Sequence, residues 1–407
     1  MPRFCMITTF YPPYSFGGDA IFVQSLSRAL AARGHNVDVI HCLDSYRALR
    51  PRTTAEPATE HDGVTIHALC SRFGTLSPLA TQQTGHPLLK SAGIRRILES
   101  KPFDVIHFHN ISLIGGPALL RMGRAVKLYT IHEHWLLCPM HTLFRDNREL
   151  CTRKSCFSCA LHYGRPPQMW RYGSLLAESV AHVDAFLAPT EFTRQIHLDS
   201  GLPMRIRVLG SFHEQRETLG ERAQLRPFFL YVGRLEKLKG VEDLIEVFRG
   251  YPDADLLIAG EGADGPRLRA LAKGSDHVRF LGHVEQSRLA GLYSNALAVL
   301  VPSVAHEVFP LVVLESFAAS TPVIARNRGS LAEIVNTSGG GFLFNDRDEL
   351  RVHLHRMQSD PTLRSKLGES GHAAWRKRWT LDVHLDRYLS IVEELLAAEP
   401  NRDRKGA

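Results

Sequence analysis

The chain lacks any stretch approaching the roughly 20 consecutive apolar residues of a membrane-spanning helix. It also lacks an internal short-period repeat and any low-complexity tract, which excludes an architecture built by repetition. The first residues, MPRFCMITTFYPPYSFGGD, hold one early arginine but reach two prolines too soon for a secretory signal. An intracellular, cytoplasmic protein is the expectation, with room for peripheral contact on the inner face of a membrane. Acidic excess is missing too: 49 Lys and Arg against 42 Asp and Glu leave a formal charge of +7, which favours anionic partners. Nucleotide diphosphates, lipid phosphates and nucleic acid satisfy that charge equally, so charge alone does not choose. What remains is an ordinary soluble composition, 44% hydrophobic and 22% charged. The 407 residues exceed one small core and fit two domains.

Both halves repeat one design. Phe4 to Phe10 reads as a short apolar strand, followed by a turn-rich loop carrying Gly17 and Gly18. A helix with Phe22, Leu26 and Leu30 at four-residue spacing ends at Gly34, and Val37 to His41 resumes as a strand. DVIHF (104–108) and KLYTI (127–131) have the β-branched character of buried parallel strands. In the second half Phe228–Val232 is a strand, 233–240 a glycine-bounded loop and Val241–Phe248 a helix. Strands at 255–259, 278–281, 298–301 and 322–325 follow. This alternation predicts an α/β protein of two doubly wound, Rossmann-like sheets, with ligands beyond the strand C-termini in a cleft between the halves. The expected boundaries are residues 1–209, a polar linker at 210–226, a second domain at 227–380 and a C-terminal segment at 381–407. That last segment begins as a helix, with Leu385, Leu389, Val392 and Leu396 on one side, that packs back toward the N-terminal domain. It ends in a disordered basic tail.

The most informative run is EVFPLVVLE, which sets Glu307 and Glu315 eight positions apart across a loop-to-helix junction. Pro310 suits the first helical turn. Leu311, Val312, Leu314 and Ala318 then continue at helical spacing. A helix N-terminus attracts phosphate through free N–H groups, and flanking carboxylates can grip sugar hydroxyls. Two solvated glutamates on an ordinary helix would show the same spacing. Other loops join this run in chain order: Gly17-Gly18, His109, GRLEKLKG, LLIAGEG, FLGHV, EVFPLVVLE and TPVIA. Each is weak alone. As an ordered set over nearly the whole chain they resemble the retaining glycosyltransferases of family 4, which have the GT-B fold of two facing Rossmann-like domains.

That resemblance implies a nucleotide-sugar donor on the C-terminal domain. It places Arg234 and Lys239 on the diphosphate, where two fixed cations would stabilise a leaving group without a metal. It gives Glu315 the nucleotide ribose, Glu307 the donor sugar, and the backbone N–H groups of Leu311 and Val312 the diphosphate. Pro310 stands where the family commonly has glycine, which removes one N–H, and Ser320 replaces another common glycine. On the N-terminal domain, Gly17 and Gly18 let the backbone approach the donor phosphate. His109 matches the histidine beside donor sugar and acceptor, and His132, at the mouth of the next strand, is an acceptor contact. His107 shares a strand face with His109 and reads as structural. No cofactor is required for the chemistry. The resemblance implies that the donor phosphate takes the acceptor proton on the face of the departing group, so that Glu307 and His109 position and stabilise.

Four of the seven cysteines fall at Cys138, Cys151, Cys156 and Cys159, spaced C-x12-C-x4-C-x2-C. They sit in a segment, about 136–172, that resembles an insertion of some bacterial family members after the HEHWLLCP run. A structural Zn2+ is the first reading by thiolate count and softness. An iron–sulfur cluster and unliganded thiols are the alternatives, while a disulfide is disfavoured in the cytoplasm. The segment's basic, aromatic character suits recognition of an acceptor, a glycan or lipid-linked saccharide, or of a membrane. A noncatalytic nucleotide-sugar-binding subunit could use the same fold. Nucleic-acid binding has no support outside this one insertion and is not expected.

Overall fold

The computed structural model describes residues 1–50, 59–214 and 226–398. Most of the expected linker and the final basic tail lie outside the described residues. The chain forms two compact units: Met1–His141 with Ser155–Leu209 and the chain from His384, and Thr142–Lys154 with Gly210–Val383.

In the first unit the strands are β1 (Arg3–Ile7), β2 (Asn36–Cys42), β3 (Glu60–His61), β4 (Val64–Leu69), β5 (Val105–Phe108) and β6 (Val126–Thr130). A small hairpin of β7 (Phe144–Arg145) and β8 (Glu149–Leu150) belongs to the second unit. The first sheet is completed by β9 (Ala185–Ala188) and β10 (Ile206–Val208). Its order is β10-β9-β6-β5-β1-β2-β4-β3, parallel except for the edge pair β3–β4. Chain order reverses about β1, whose neighbours are β2 and β5, so the crevice at the ends of β1 and β5 is the expected ligand position. The first helix, Gly18–Ala32, buries Ala20, Phe22, Val23, Leu26 and Leu30 along one stripe.

The second unit holds β11 (Phe228–Val232), β12 (Asp255–Ala259), β13 (Val278–Gly282), β14 (Val299–Val301), β15 (Val323–Arg326) and β16 (Gly341–Phe344). They form one parallel sheet in the order β13-β12-β11-β14-β15-β16. Alternation fills both faces: Phe229, Tyr231, Leu256 and Ile258 pack in one core, Phe228, Leu230, Leu257 and Ala259 in the other. Here the reversal is about β11, between β12 and β14.

Two local expectations shift. The first strand ends at Ile7 rather than Phe10: Thr8 N–H still bonds to the Ile40 carbonyl of β2, but Thr9 N–H turns to the Asn110 carbonyl beyond β5. The C-terminal helix spans Leu381–Ala398, but it buries His384 and Tyr388 beside Leu385 and Val392, in place of Leu389 and Leu396. Aromatic contacts with Phe4, Phe22 and His107 decide which stripe turns inward.

Candidate active site

In the second unit, three loops at the C-terminal ends of the strands lock together. The loop after β11 lies so close to the one after β12 that a Cβ on Gly260 would stand 2.0 Å from the Gly233 carbonyl oxygen. Leu235 N–H donates to the Glu261 carbonyl at 2.9 Å, and Asp264 N–H returns a bond to Leu235. Gly240, at φ 68°, touches the loop after β14: a side chain there would meet the Pro302 carbonyl at 2.2 Å. Glycine is therefore required by both backbone angle and space. That close approach carries Lys239 to Glu307, whose carboxylate accepts from Lys239 Nζ at 2.6 Å and from Ser303 Oγ at 2.6 Å. Burial alone would raise the Glu307 carboxyl. The Lys239 charge and hydrogen bond, the Ser303 hydroxyl and the charge of Arg234 outweigh it and hold the group below the usual range. Arg234 is open to solvent at 71% side-chain exposure and pairs with Glu236 at 2.7 Å.

Two further arginines support the loop bearing Glu307. Arg326, buried and ion-paired with Asp243, donates Nε to the Pro302 carbonyl at 3.1 Å, and Arg328 donates to the Val304 carbonyl at 2.9 Å. Beyond Glu307 the helix runs from Leu311 to Ala318. Pro310 is its N-cap with ψ 96°, one position before the first helical residue where the sequence suggested it. Leu311 and Val312 thus open the helix, and N–H groups there have no intrahelical acceptor. Glu315 lies within the helix and accepts from the buried Tyr293 hydroxyl. Burial first, then the Glu315 charge, raise that phenol far above its ordinary range, so Tyr293 stays a donor.

In the first unit, Gly17 (φ 80°) caps the helix starting at Gly18, at the C-terminal end of β1. Asp19 in its first turn accepts from Asn110 Nδ2 at 3.3 Å. Burial, then the nearby Glu133 charge, push the Asp19 carboxyl up to about 6, against the Asn110 bond. His109 follows β5 and is 1% exposed; its Nδ1 pairs with His132 Nε2 at 3.0 Å, while its Nε2 is buried with no hydrogen-bond partner. Phe22 packs against both rings. His107 has a different set of partners, Thr130 Oγ1 at 2.8 Å and the Tyr388 hydroxyl at 3.0 Å, consistent with a structural role. Burial, reinforced by neighbouring histidines, holds His107 and His109 well below the ordinary imidazole value. His132 falls to about 4, also mainly by burial. All three rings are neutral near pH 7, each with one donor and one acceptor nitrogen.

The structure thus groups Arg234, Lys239, Glu307, Leu311, Val312 and Glu315 around the strand ends of the second unit. It groups Gly17, Gly18, His109 and His132 around those of the first. Sequence reading missed Ser303, Tyr293, Arg326, Asp19 and Asn110; Asp19, Asn110 and Arg326 stand directly after Gly18, His109 and the TPVIA run, whereas Ser303 and Tyr293 had no such signal.

The four cysteines of the segment come from three places in the fold. Cys138 lies beyond a short turn at His134–Leu136, Cys151 follows the β7–β8 hairpin, and Cys156 and Cys159 share the helix Cys156–His162. None of the seven cysteines is in a disulfide. Among the described residues no group of three or more His, Cys, Asp or Glu side chains is placed to hold a metal ion. What ties the segment together is Arg171. Its guanidinium donates to the Trp135 carbonyl at 2.7 Å and the Leu136 carbonyl at 3.3 Å, and lies over the Trp135 and Trp170 rings.

Known proteins resemble this chain in sequence and in fold. Residues 17–211 match the family model of the glycosyl transferase 4-like domain, and residues 214–373 that of the glycosyl transferases group 1. Glycogen synthase of Mycobacterium tuberculosis is 26% identical over 425 residues, spanning 99% of this chain and 96% of that protein. D-inositol 3-phosphate glycosyltransferase of Acidothermus cellulolyticus is 29% identical over 418 residues, spanning 94% and 86%. Among solved structures, sucrose-phosphate synthase from Thermosynechococcus elongatus aligns with TM-score 0.76 at 20% identity, covering 98% of this chain and 100% of that one. Anabaena HepE in complex with UDP aligns with TM-score 0.67 at 15% identity, covering 97% and 100%. With both halves matched in order and each built on a parallel Rossmann-like sheet, the chain belongs to the GT-B glycosyltransferases of the group 1, family 4-like lineage.

Proposed function

We propose that this glycosyltransferase moves a hexosyl group from a nucleoside-diphosphate sugar to a hydroxyl of a glycan or lipid-linked saccharide, in the cytoplasm, with retention at the anomeric carbon. The observation that carries the donor assignment is Glu307, held ionised by Lys239 and Ser303 immediately before the open N–H groups of Leu311 and Val312. A carboxylate beside an ammonium and a helix N-terminus suits a sugar hydroxyl next to a diphosphate. Glu315, steadied by Tyr293, lies about one turn inside the helix that opens at Leu311 and suits the two hydroxyls of a ribose.

In the reaction the bond from the anomeric carbon to the diphosphate oxygen breaks, and both its electrons leave with the diphosphate. Arg234, Lys239 and the N–H groups of Leu311 and Val312 stabilise that charge. The acceptor oxygen bonds to the same face of the carbon and gives its proton to the departing phosphate oxygen. His109 offers its unpartnered Nε2 to a sugar hydroxyl, while His132 fixes the ring through Nδ1 and contacts the acceptor. These side chains supply the needed cations, so no metal is assigned to the chemical step.

The donor's relation to UDP, bound by HepE, and the glucan- and inositol-directed relatives leave the base, the sugar and the acceptor to experiment. A panel of nucleotide sugars tested for hydrolysis and transfer, with the product anomer assigned by NMR, is the direct test. Hydrolysis of none of them, or an inverted product, would overturn the reading.

A further inference from the structure

We infer that the first unit carries a docking face for an anionic phospholipid bilayer, formed by the helix Leu76–Thr84, the turn at Leu88–Lys90 and residues 155–172 of the cysteine-bearing segment. It extends the lipid-linked acceptor reading above, but it stands on separate observations.

The first is an inverted helix. In Leu76–Thr84 the polar residues Ser77 and Thr81 are each 1% exposed, whereas Leu76 and Leu79 are 58% and 46% exposed. The inward hydroxyls are satisfied by the buried Lys90, whose Nζ lies 2.8 Å from Ser77 Oγ and 3.2 Å from Thr81 Oγ1. A helix facing only water would turn its leucines inward and its hydroxyls out. Here a bonded lysine fixes the opposite orientation and holds the leucines outward.

The second is contiguity. Among the described residues, nine of the 14 exposed large apolar side chains fall within Phe73–Leu89 or Phe157–Tyr172. One hydrogen bond joins these stretches, from Trp170 Nε1 to the Gln82 carbonyl at 2.9 Å, and within the second stretch the Tyr172 hydroxyl pairs with the Phe157 backbone. Leu88 and Leu89 on one side, and Met169 and Leu161 on the other, therefore extend one surface. Scattered single apolar residues need no explanation, but a joined patch on one unit marks an interaction site.

The third is charge. Residues 70–98 and 155–177 contain no Asp or Glu, and Arg72, Arg95, Arg96 and Arg165 are exposed among them. Exposed apolar side chains bordered by arginines match the interface of an anionic bilayer, where apolar groups enter the acyl boundary and cations meet the headgroups. A second copy fits less well, because a two-fold interface would set this positive face against itself. No described helix is long and apolar enough to cross a membrane, so the chain would lie on the surface.

The full chain, without sugar donor, should float with phosphatidylcholine vesicles containing about 30 mol% phosphatidylglycerol, and far less with phosphatidylcholine alone. Leu79→Ser with Leu89→Ser should lower partitioning by about tenfold or more, since both side chains are already exposed and each loses its membrane burial. Arg95→Glu with Arg96→Glu should weaken it by a similar factor and flatten its salt dependence. Circular dichroism and melting on the same samples verify that these variants are folded. The inference is overturned by a wild-type chain that does not float, by equal binding to neutral vesicles, or by flotation that survives the leucine changes. Sedimentation showing a dimer that Leu79→Ser with Leu89→Ser dissociates, without flotation, would assign the face to a second copy. Donor hydrolysis measured alongside separates the two readings: a non-floating enzyme that still hydrolyses donor loses only the membrane.

Discussion

Lys239 reaches Glu307 across 68 positions of sequence to form a 2.6 Å ion pair, with the lysine 21% and the glutamate 18% exposed. Each charge is the other's main counterpart, so removing one alters both. Lys239→Ala should reduce turnover by about 10²-fold or more, as for loss of a preorganised charge stabiliser. It should also raise the Glu307 carboxyl, since burial would then act with less opposition. Glu307 is depressed in the folded state, so its contribution to stability is present above the unfolded value and lost as pH falls through the folded one. The variant should accordingly melt with a weaker acid dependence. Unchanged turnover in a folded variant would remove Lys239 from the chemistry.

Glu315 and its partner allow a binding test. Tyr293→Phe leaves the helix packing intact but removes the hydroxyl that orients the carboxylate. Nucleoside-diphosphate affinity should fall by about tenfold, equivalent to about 1.4 kcal/mol for a hydrogen bond to a charged group. Glu315→Gln should weaken affinity further, with little change in turnover at saturating donor. Glu307→Gln should instead lower turnover with less effect on affinity. Calorimetric titration with the diphosphate alone decides, and the opposite ranking would exchange the two glutamates.

The pH profile should report Asp19 rather than the histidines. With His132 near 4 and burial holding His109 well below the ordinary imidazole value, neither ring is the group expected to titrate between pH 5 and 8. Asp19, at about 6, does. Any inflection of transfer rate near pH 6 should therefore vanish in Asp19→Asn. Linkage gives opposite signs for the two kinds of group. Stability from Asp19 is present below the unfolded carboxylate value and lost as pH rises through about 6. Stability from the neutral imidazoles is present above their unfolded value and lost as pH falls toward about 4. Asp19→Asn should thus melt higher than the parent at pH 8 and lose that advantage at pH 4. An inflection retained in Asp19→Asn would point to another group.

Ser320 adopts φ 56° just after the helix Leu311–Ala318. Thr321 N–H bonds to the Ser316 carbonyl at 2.9 Å and Ser320 N–H to that of Phe317 at 3.0 Å, the paired bonds of a Schellman ending. Glycine is the usual residue at that position, as the sequence comparison with the family implied. Ser320→Gly should stabilise by about 0.5–1 kcal/mol, and thermal unfolding at neutral pH should show it as a rise of about 1–3 °C.

Arg171, rather than a metal, should govern the cysteine-bearing segment. Arg171→Ala removes two hydrogen bonds to backbone carbonyls and two cation–aromatic contacts, a loss on the order of 2–4 kcal/mol. Cys156→Ser with Cys159→Ser should cost much less. Limited proteolysis within 134–172 compares the two. Stoichiometric zinc by elemental analysis, lost in the cysteine variant together with its fold, would reverse the ranking.

Strand and helix alternation was legible wherever β-branched runs and glycine stops were strong. The spans at 228–232, 241–248 and 255–259 match residue for residue. Short elements such as β3 and β10 carried too few residues to register, and β4, at Val64–Leu69, ends in half-buried positions that blur its alternation. Motif residues were found because each follows a strand. Their partners were not, because Tyr293 approaches Glu315 from another helix and Arg326 reaches Pro302 from the end of β15. Spacing along one element carries no information about contacts made across 22 or 24 positions.

The hydrogen bond between Tyr388 and His107 has a consequence for synthesis on the ribosome. The first unit draws its residues from both ends of the chain, whereas nearly all of the second is one continuous stretch ending at Val383. Phe4, Phe22 and His107 are translated early, yet their aromatic partners His384 and Tyr388 emerge last. A nascent chain therefore holds an uncapped first sheet throughout the making of the second unit. The part made first is the part finished last, and a premature stop shortly after residue 383 would injure the beginning of the protein more than the region beside the stop.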